Sequence, residues 1–182
     1  IAPVLSHMAE DIWQNLPYPS GTKSVFESGW AKLDEEWKHP ELTDTWSQLR
    51  SIRQEVNKVL EQARTAKEIG SSLEAKALLY VTDEDLRQKL AAMNPVDATA
   101  AGSLHVDELR YLFLVSQVEV LDSAEKLKGL KFSSESDSLG VGVVDAAGEK
   151  CDRCWNYSTF VGQDSEHAAV CDRCVAALNG NF

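Results

Sequence analysis

Four cysteines, arranged as two Cys-x-x-Cys pairs, are the residues with the clearest chemistry in this sequence. Each pair belongs to a Cys-Asp-Arg-Cys tetrapeptide, and sixteen residues separate the two pairs. A Cys-x-x-Cys turn can direct two sulfurs at one ion, and two such turns supply the four thiolates of a tetrahedral zinc site. We therefore expect one structural zinc ion with these ligands: Cys151, Cys154, Cys171 and Cys174.

The same cysteines leave other interpretations open, namely two disulfides, a redox pair or an iron–sulfur cluster. Disulfides require an oxidising compartment, and no export signal is visible. A redox pair belongs in its own βαβ unit and would not be duplicated. Paired knuckles at this spacing favour zinc over iron. Because four sulfurs leave no open position for water or substrate, the site is predicted to be structural, with His167 outside the ligand set.

Arg153 and Trp155 lie in the first cysteine segment and offer chemistry besides metal binding. A guanidinium near four thiolates would offset their negative charge, as Lys150 and Arg173 also would. The Trp155 ring has two interpretations. It packs with Tyr157 in a small core against the metal turns, or it is exposed and stacks on an unpaired nucleic-acid base.

The overall charge restricts the partners of the chain. Its 182 residues carry a formal net charge of -11, so nonspecific attraction to a phosphate backbone should be weak. Any contact with nucleic acid must therefore be local. No apolar run approaches the roughly 20 residues of a membrane span. The apolar first residues, which lack an initiator Met, favour a piece of a longer protein.

The one concentrated basic feature lies along a long predicted helix. The helix is predicted from about Thr43 to Ile69, because apolar residues recur there at three- and four-residue steps. Thr43 or Asp44 is the predicted cap, and Gly70 is the predicted left-handed residue at the C-terminal end. At about 100° per residue, four basic residues fall along one edge of the apolar stripe: Arg50, Arg53, Arg64 and Lys67. This edge is either a solvated flank of a bundle or a surface that contacts phosphates.

The remaining residues predict an α+β, multi-domain chain. Residues 1–70 should be a helical bundle segment, residues 71–138 a small α/β junction unit, and residues 139–182 a zinc-knuckle module built on the four cysteines. Residues 1–20 predict the end of one helix, which Leu16–Gly21 stops. A short amphipathic turn or helix is predicted near Trp30, Leu33 and Trp37, and it ends at His39–Pro40.

The α/β unit carries several more predicted elements. Ala75–Val81 predicts a strand, and Asp83–Met93 predicts a helix capped by Thr82 with Asp85 in a capping-box-like pair. The others are a small-residue loop at Asn94–Gly102, one or two strands within Leu109–Leu121, edge strands at Leu130–Phe132 and Leu139–Val144, and a polar loop or linker at Ser133–Ser138.

Segments along nearly the whole chain resemble, in the expected order, the isoleucyl-tRNA synthetases of bacterial type. The residues that resemble the C-terminal zinc motif of that family are EKCDRCWNY at 149–157 and VCDRC at 170–174. Those that resemble its anticodon-binding domain and the following segment are AEDIWQNLP at 9–17, LRSIRQEVNK at 49–58, AR at 63–64 and IGSSLEAK at 69–76.

The resemblance implies the C-terminal part of a class I synthetase, whose reaction joins isoleucine to its tRNA through an ATP-dependent aminoacyl-adenylate. The HIGH and KMSKS motifs of the family are absent from this sequence, and its editing domain has no counterpart. We therefore expect no catalytic residue here, with ATP bound only in the catalytic domain of the longer protein. The implied partners are the rest of the synthetase and the anticodon stem-loop of tRNA(Ile), and the enzyme is expected to be monomeric, in the cytoplasm or an organelle.

The residues expected to contact the tRNA follow from that implied task. For the RNA backbone they are Arg50, Arg53 and Arg64, and for the anticodon loop Arg153 and Trp155. A basic edge can meet phosphates and an aromatic ring can stack on splayed anticodon bases, even in a protein of negative charge.

Two other classes of function stay open on the sequence. The zinc pattern is also similar to the C-terminal finger of formamidopyrimidine-type DNA glycosylases, although such a finger needs a basic face that this acidic chain lacks. Alternatively, the chain is a free-standing adaptor in which zinc stabilises a protein-binding tail. The absence of an initiator Met favours a piece of a longer enzyme over the adaptor.

Overall fold

The computed structural model describes residues 1–94 and 108–180. The chain divides into two compact units, Ile1–Thr43 and Asp44–Phe182. Of the small-residue loop predicted at Asn94–Gly102, all but Asn94 lies outside the described residues. Within the described ranges, no helix has both the length and the apolar character needed to cross a bilayer.

The first unit begins with α-helix α1, which covers Ser6–Gln14 and ends before the predicted stop. Glu10 on α1 holds the following segment, because its carboxylate accepts hydrogen bonds from Ser24 Oγ at 2.8 Å and Val25 N at 3.0 Å. Hydrogen bonds from Gln14 and Ser24 lower the pKa of Glu10. The segment after it is thereby tied to the helix by one side chain.

Two short 3-10 helices, Val25–Glu27 and Glu35–Trp37, follow α1 in the first unit. The second is the short turn that the sequence predicts near Trp37. The tryptophans of this region do not pack into a core, since Trp30 is 86% and Trp37 68% exposed.

The second helix, α2, covers Pro40–Thr65 and begins earlier than predicted. The sequence predicts a break at His39–Pro40 and a cap at Thr43 or Asp44, but Pro40 is the first helical residue. Proline fits this position because its ring presets the helical φ and an N–H at the first turn has no partner within the helix. The apolar stripe of α2 is buried as predicted: Leu49, Ile52, Val56, Val59, Leu60 and Ala63.

The C-terminal end of α2 is capped by Lys67 and not, as predicted, by Gly70. Lys67 has a φ of 60°. Its N–H donates to Arg64 O at 2.9 Å, and the N–H of Glu68 donates to Ala63 O at 3.1 Å. These two bonds form a Schellman cap. Because Lys67 lies beyond the last helical turn, helical spacing no longer places it on the basic edge of α2.

A four-stranded mixed sheet forms the centre of the second unit, in the order β2-β1-β4-β3. The strands are β1 at Ala75–Val81, β2 at Gln117–Val120, β3 at Phe132–Glu135 and β4 at Leu139–Asp145. β1 runs parallel to β2 and antiparallel to β4, which is antiparallel to β3. The predicted strand at Ala75–Val81 is confirmed, and helices with a mixed sheet confirm the α+β class.

Two predictions about the end of the sheet are wrong. β4, predicted as an edge strand, lies between β1 and β3. The polar segment Ser133–Ser138, predicted as a loop or linker, contributes its first three residues to β3. The domain boundaries at 70/71 and 138/139 stay predictions, and strand pairing joins residues from both sides of the second one.

Each face of the sheet is covered by apolar side chains. On one face, the buried stripe of α2 packs with alternate residues of β1 and β4, including Leu79 and Val141. The other face receives the 3-10 helix Ala124–Leu127. Gly142 of β4 allows this contact, since a Cβ there would lie 2.5 Å from Leu130 Cδ1 and 3.0 Å from Leu127 Cδ2.

Helix α3 covers Glu84–Ala92, close to the prediction, but its cap differs. Asp83 is the N-cap, since its Oδ1 accepts the N–H of Leu86 at 2.9 Å. Thr82, the predicted cap, instead donates its hydroxyl to Asp137 O at 3.0 Å. Aspartate and threonine are both favoured N-cap residues, and here the cap is one residue further along the chain than predicted.

Helix α4 covers Glu108–Phe113, where the sequence predicts a strand. Leu109 and Phe113, four residues apart, are both fully buried, which places them on one helical face. A short apolar run fits either a strand or a buried helix, and packing against the core decides between them. Within Leu109–Leu121, the segment that forms a strand is Gln117–Val120, β2.

Ser116 connects the sheet to the segment that carries the cysteines. It is 1% exposed, and its hydroxyl donates to Leu73 O while it accepts the N–H of Tyr157 at 2.7 Å. Its own N–H donates to Ala75 O at 3.2 Å. One buried side chain thus joins three segments that are distant in sequence.

Replacing Ser116 with alanine should lower the free energy of unfolding by about 1–3 kcal/mol, because the N–H of the half-buried Tyr157 would lose its acceptor. Urea unfolding followed by circular dichroism measures this change. The exposed Ser165 provides the control, and S165A should unfold like the parent chain. Equal stability of S116A and the parent would contradict the role given to this hydroxyl.

Candidate metal centre and adjoining basic surfaces

Two short elements bring the four cysteines together. β5 at Glu149–Lys150 pairs antiparallel with β6 at Tyr157–Ser158, and Cys151 and Cys154 lie in the turn between these strands. Helix α5 covers Asp172–Leu178, with Cys171 as its N-cap residue and Cys174 in its first turn. Each pair is therefore held by one tight turn of backbone, as its spacing predicts.

The first turn depends on two unusual backbone positions. Gly148 has a φ of 90°, and a Cβ there would lie 2.3 Å from the backbone carbonyl of Ser158. Trp155 is left-handed with a φ of 66°, and its N–H donates to Cys151 O at 2.8 Å. The chain thus reverses directly after Cys154, which directs both sulfurs of this pair to one side.

The four sulfur atoms lie within 4.8 Å of one another, and Cys154 Sγ and Cys171 Sγ are 3.7 Å apart. Sulfurs at about 2.3 Å from a tetrahedral zinc ion would be about 3.8 Å apart. All four cysteines are free, so neither of the two alternative disulfides is formed. The cluster contains cysteines alone, and His167 is not a member of it.

Backbone amides and one guanidinium face the sulfurs. The N–H of Cys171 donates to Cys151 Sγ at 3.3 Å, and Arg153 Nη1 lies 3.7 Å from Cys174 Sγ. Burial raises the pKa of the Cys151 thiol, but hydrogen bonds from the backbone of Cys154, Cys171 and Arg153 outweigh it and lower this pKa to about 6. Burial raises the pKa of Cys171 and Cys174. A divalent ion binds and stabilises the thiolate form of cysteine. A single ion would therefore favour the thiolate form of all four residues, including those whose pKa is raised by burial.

Trp155 and Arg153 both lie on this turn, in different surroundings. The Trp155 side chain is 61% exposed, and Lys150 Nζ lies 5.6 Å from its ring centroid. This exposure agrees with a platform and not with a small core. Arg153 faces the sulfur of Cys174, so part of its charge offsets the thiolates.

The basic edge of α2 is exposed, as helical spacing predicts. Arg50 Nε donates to Trp46 O at 3.3 Å, and Arg64 Nη1 pairs with Glu61 at 2.7 Å. Arg53 forms no ion pair with any residue in the described ranges. Arg50 likewise forms no ion pair there, so Arg50 and Arg53 carry the least compensated charges of the three arginines.

A third basic group, which sequence reasoning did not identify, surrounds Tyr111. The Cζ atoms of Arg110 and Arg173 lie 5.6 and 5.4 Å from the centroid of the Tyr111 ring. Burial of its guanidinium, followed by the like charge of Arg110, lowers the pKa of Arg173. The signal that could have identified this group is the four-residue spacing of Leu109 and Phe113, which is typical of a helix with one buried face. On that helix, α4, Tyr111 lies next to Arg173 of α5.

Comparison with known proteins gives two matching family models. The model described as the anticodon-binding domain of tRNA ligase matches residues 1–79. The model described as a zinc finger found in FPG and IleRS matches residues 148–177. The second range includes all four clustered cysteines.

The chain is also similar over its length to isoleucine–tRNA ligases. It is 65% identical over 174 residues to that of Acaryochloris marina (strain MBIC 11017), a match that covers 96% of this chain and 18% of that protein. It is 61% identical over 182 residues to that of Nostoc sp. (strain PCC 7120), covering all of this chain and 18% of that protein. The match to Synechococcus sp. (strain ATCC 27144) is 60% identical, over all of this chain and 19% of that protein. The chain spans about a fifth of the length of these curated relatives.

The purified chain should contain one zinc ion, and its removal by a chelator should expose residues 148–177 to protease while the sheet stays protected. A segment of this size has too small a core to fold alone, so metal binding must supply much of its folding free energy. Elemental analysis and limited proteolysis measure both effects. C171S should lose the ion, whereas H167A, the matched control, should keep it.

A metal-free chain whose cysteine segment still resists protease would contradict this expectation. So would retention of stoichiometric zinc by C171S.

The geometry and the comparisons agree on the same two regions of the chain. The four-cysteine cluster lies inside the range that matches the zinc finger, and the donor set suits a structural zinc ion. The anticodon-domain match covers α1, α2 and most of β1, and the relatives match along the whole chain. The chain therefore belongs to the isoleucine–tRNA ligase family and corresponds to the C-terminal part of these enzymes.

Proposed function

We propose that this chain is the tRNA-binding C-terminal region of an isoleucine–tRNA ligase. It holds the anticodon stem-loop of tRNA(Ile) while the rest of the enzyme, acting as a monomer in the cytoplasm or an organelle, carries out ATP-dependent aminoacylation. The main support is that one chain combines an anticodon-binding match, a zinc-finger match and 60–65% identity to ligases of this name. The chain contributes binding and no catalytic group.

The metal has a structural role in this proposal. Its ligands are Cys151, Cys154, Cys171 and Cys174, and zinc, when bound, supplies a cross-link with no open position for chemistry. The two turns hold the surface residues between and beside the cysteines in fixed positions. The cross-link therefore acts on tRNA indirectly, by ordering Arg153 and Trp155.

The anticodon loop is proposed to contact the first cysteine turn. Trp155 is exposed, and its backbone is fixed in the left-handed conformation by the turn. A base unstacked from the loop can lie on this ring, and the nearby Lys150 charge can meet the phosphate next to that base. Arg153 contributes from the same turn, with its guanidinium held against the sulfur of Cys174.

The phosphate backbone is proposed to contact the exposed edge of α2. Arg50, Arg53 and Arg64 share this edge, and among them Arg64 already has a carboxylate partner. In a chain with a net charge of -11, such contacts must come from local charges and not from the overall field. Arg50 and Arg53 should therefore contribute more to affinity than Arg64.

Charge reversal of the α2 edge tests the backbone contact. R50E and R53E should each weaken tRNA(Ile) binding roughly tenfold, since a hydrogen bond to a charged group contributes about 1.5 kcal/mol or more. Each should flatten the dependence of log K on log salt by about one unit. Filter binding with the zinc-loaded chain at several salt concentrations measures both quantities.

K58E is the matched control for this edge. Lys58 is exposed and, at about 100° per residue, falls on the side of α2 opposite the buried stripe, so its reversal should leave binding nearly unchanged. Affinity and salt dependence equal to the parent in both arginine variants would refute the contact with α2.

Removal of the Trp155 ring tests the loop contact. W155A should weaken tRNA(Ile) binding by about 1–3 kcal/mol and reduce the preference over tRNA(Ile) with a changed anticodon, because it removes a stacked base. W155F should keep most of the affinity, since it keeps an aromatic face. The binding assay with both tRNAs, with zinc content measured in each variant, checks this expectation.

Equal selectivity of W155A and the parent would show that this ring does not meet the anticodon. Preference of the parent chain for duplex DNA over tRNA would instead support the glycosylase-type interpretation.

A further inference from the structure

The arginine–tyrosine group on α4 and α5 has no role in the function proposed above. Tyr111 is 46% exposed, and the guanidinium carbons of Arg110 and Arg173 lie 5.6 and 5.4 Å from its ring centroid. Both distances are within the range of cation–π contacts. Two like charges thus share one aromatic ring on the surface of a strongly acidic protein.

Both sides of this group are held by rigid structure. Arg173 lies between Cys171 and Cys174 in the first turn of α5, so its backbone is part of the metal centre. Tyr111 lies on α4 between the fully buried Leu109 and Phe113. The backbone positions that carry the two guanidiniums are therefore anchored by buried side chains and by the cysteine turn, and such anchoring lowers the entropy lost when a ligand binds.

The charge of Arg173 is available to a ligand. Within the described ranges, Arg173 enters no ion pair, whereas Arg87, another arginine near a tyrosine ring, pairs with Glu84. A cation–π contact attracts the charge of a guanidinium to the ring but does not use up its five N–H donors. Those donors are suited to a phosphate, which can accept two parallel hydrogen bonds from one guanidinium.

We propose that Arg110, Tyr111 and Arg173 form a phosphate-binding site for RNA, distinct from the Trp155 ring and the α2 edge. The proposal rests on the function proposed above and adds to it a third contact, to the sugar–phosphate backbone of the same tRNA. Arg173 provides the fork of donors, Arg110 adds charge, and Tyr111 keeps the two side chains in place. Such a contact adds affinity but carries no sequence information.

Binding of tRNA(Ile) to the zinc-loaded full chain tests the site. R173Q should weaken binding roughly fivefold at about 0.15 M salt and reduce the salt slope by about one unit, as expected for one neutralised phosphate. The loss should be the same for tRNA(Ile) with its own or a changed anticodon. R87Q is the matched control and should bind like the parent.

A second measurement uses the unmodified chain and so does not depend on the folding of a variant. The arginine Nε–Hε signals of the zinc-loaded chain are followed by NMR during titration with a single-stranded RNA pentamer. Signals of Arg173 and Arg110 should shift with RNA concentration, and the signal of Arg87 should not.

The outcomes separate the two proposals. Unchanged affinity and slope in R173Q, with tRNA bound by the parent, overturn the phosphate site and leave the proposed function standing. A parent chain that fails to bind tRNA contradicts the proposed function, and the pentamer titration then decides the site by itself. If R173Q loses zinc or stability while the pentamer shifts no arginine signal, the group is only a clamp between α4 and α5, and the site is refuted.

Discussion

The convergence of four cysteine sulfurs on one point is the constraint on which the surface of this chain depends. The sulfurs lie within 4.8 Å of one another, and both turns that carry them are too short to hold that arrangement through apolar packing alone. Like charges at this distance repel unless an ion neutralises them. The residues beside the cysteines, above all Trp155 and Arg173, take their positions from the same two turns.

The cysteine module is not an independent appendage, because side-chain hydrogen bonds join it to the sheet. Ser116, next to β2, accepts the N–H of Tyr157 on β6 and donates to Leu73 before β1. Gln117 adds a second connection, since its side chain exchanges hydrogen bonds with the backbone of Ala147 at 2.8 and 2.9 Å. An ordered sheet thus provides the base on which the metal turns are built.

The acidic composition and the proposed RNA contacts are compatible because the basic charges are local. Many cations of the described residues are paired with carboxylates, such as Lys76 with Glu119 across β1 and β2. Arg53 and Arg173 are among the cations that form no ion pair within those ranges, and both lie on helices. An overall negative field reduces nonspecific binding, so that affinity depends on a few placed groups and on the shape of the RNA.

The sequence by itself determined the features that depend on local spacing. Two Cys-x-x-Cys pairs bring together sulfurs through one turn each, and the apolar stripe of α2 follows the 3.6-residue period. β1 is a short, mostly apolar run, AKALLYV. The resemblance to the ligase family follows from the same local segments. For Trp155 the sequence left two interpretations open, a small core or an exposed ring, and the structure has the ring exposed.

Tertiary structure alone decided the features that depend on residues distant in sequence. Leu109–Phe113 is helical because the core buries Leu109 and Phe113 together, and Leu139–Asp145 is a central strand because β3 pairs with its outer edge. Lys67 ends α2 because the chain must turn there, although Gly70 has the better intrinsic preference. The contact of Arg110 and Arg173 with one tyrosine joins positions that are far apart in the sequence. No local period encodes such a contact, since it exists only once the sheet and the metal turns have placed α4 beside α5.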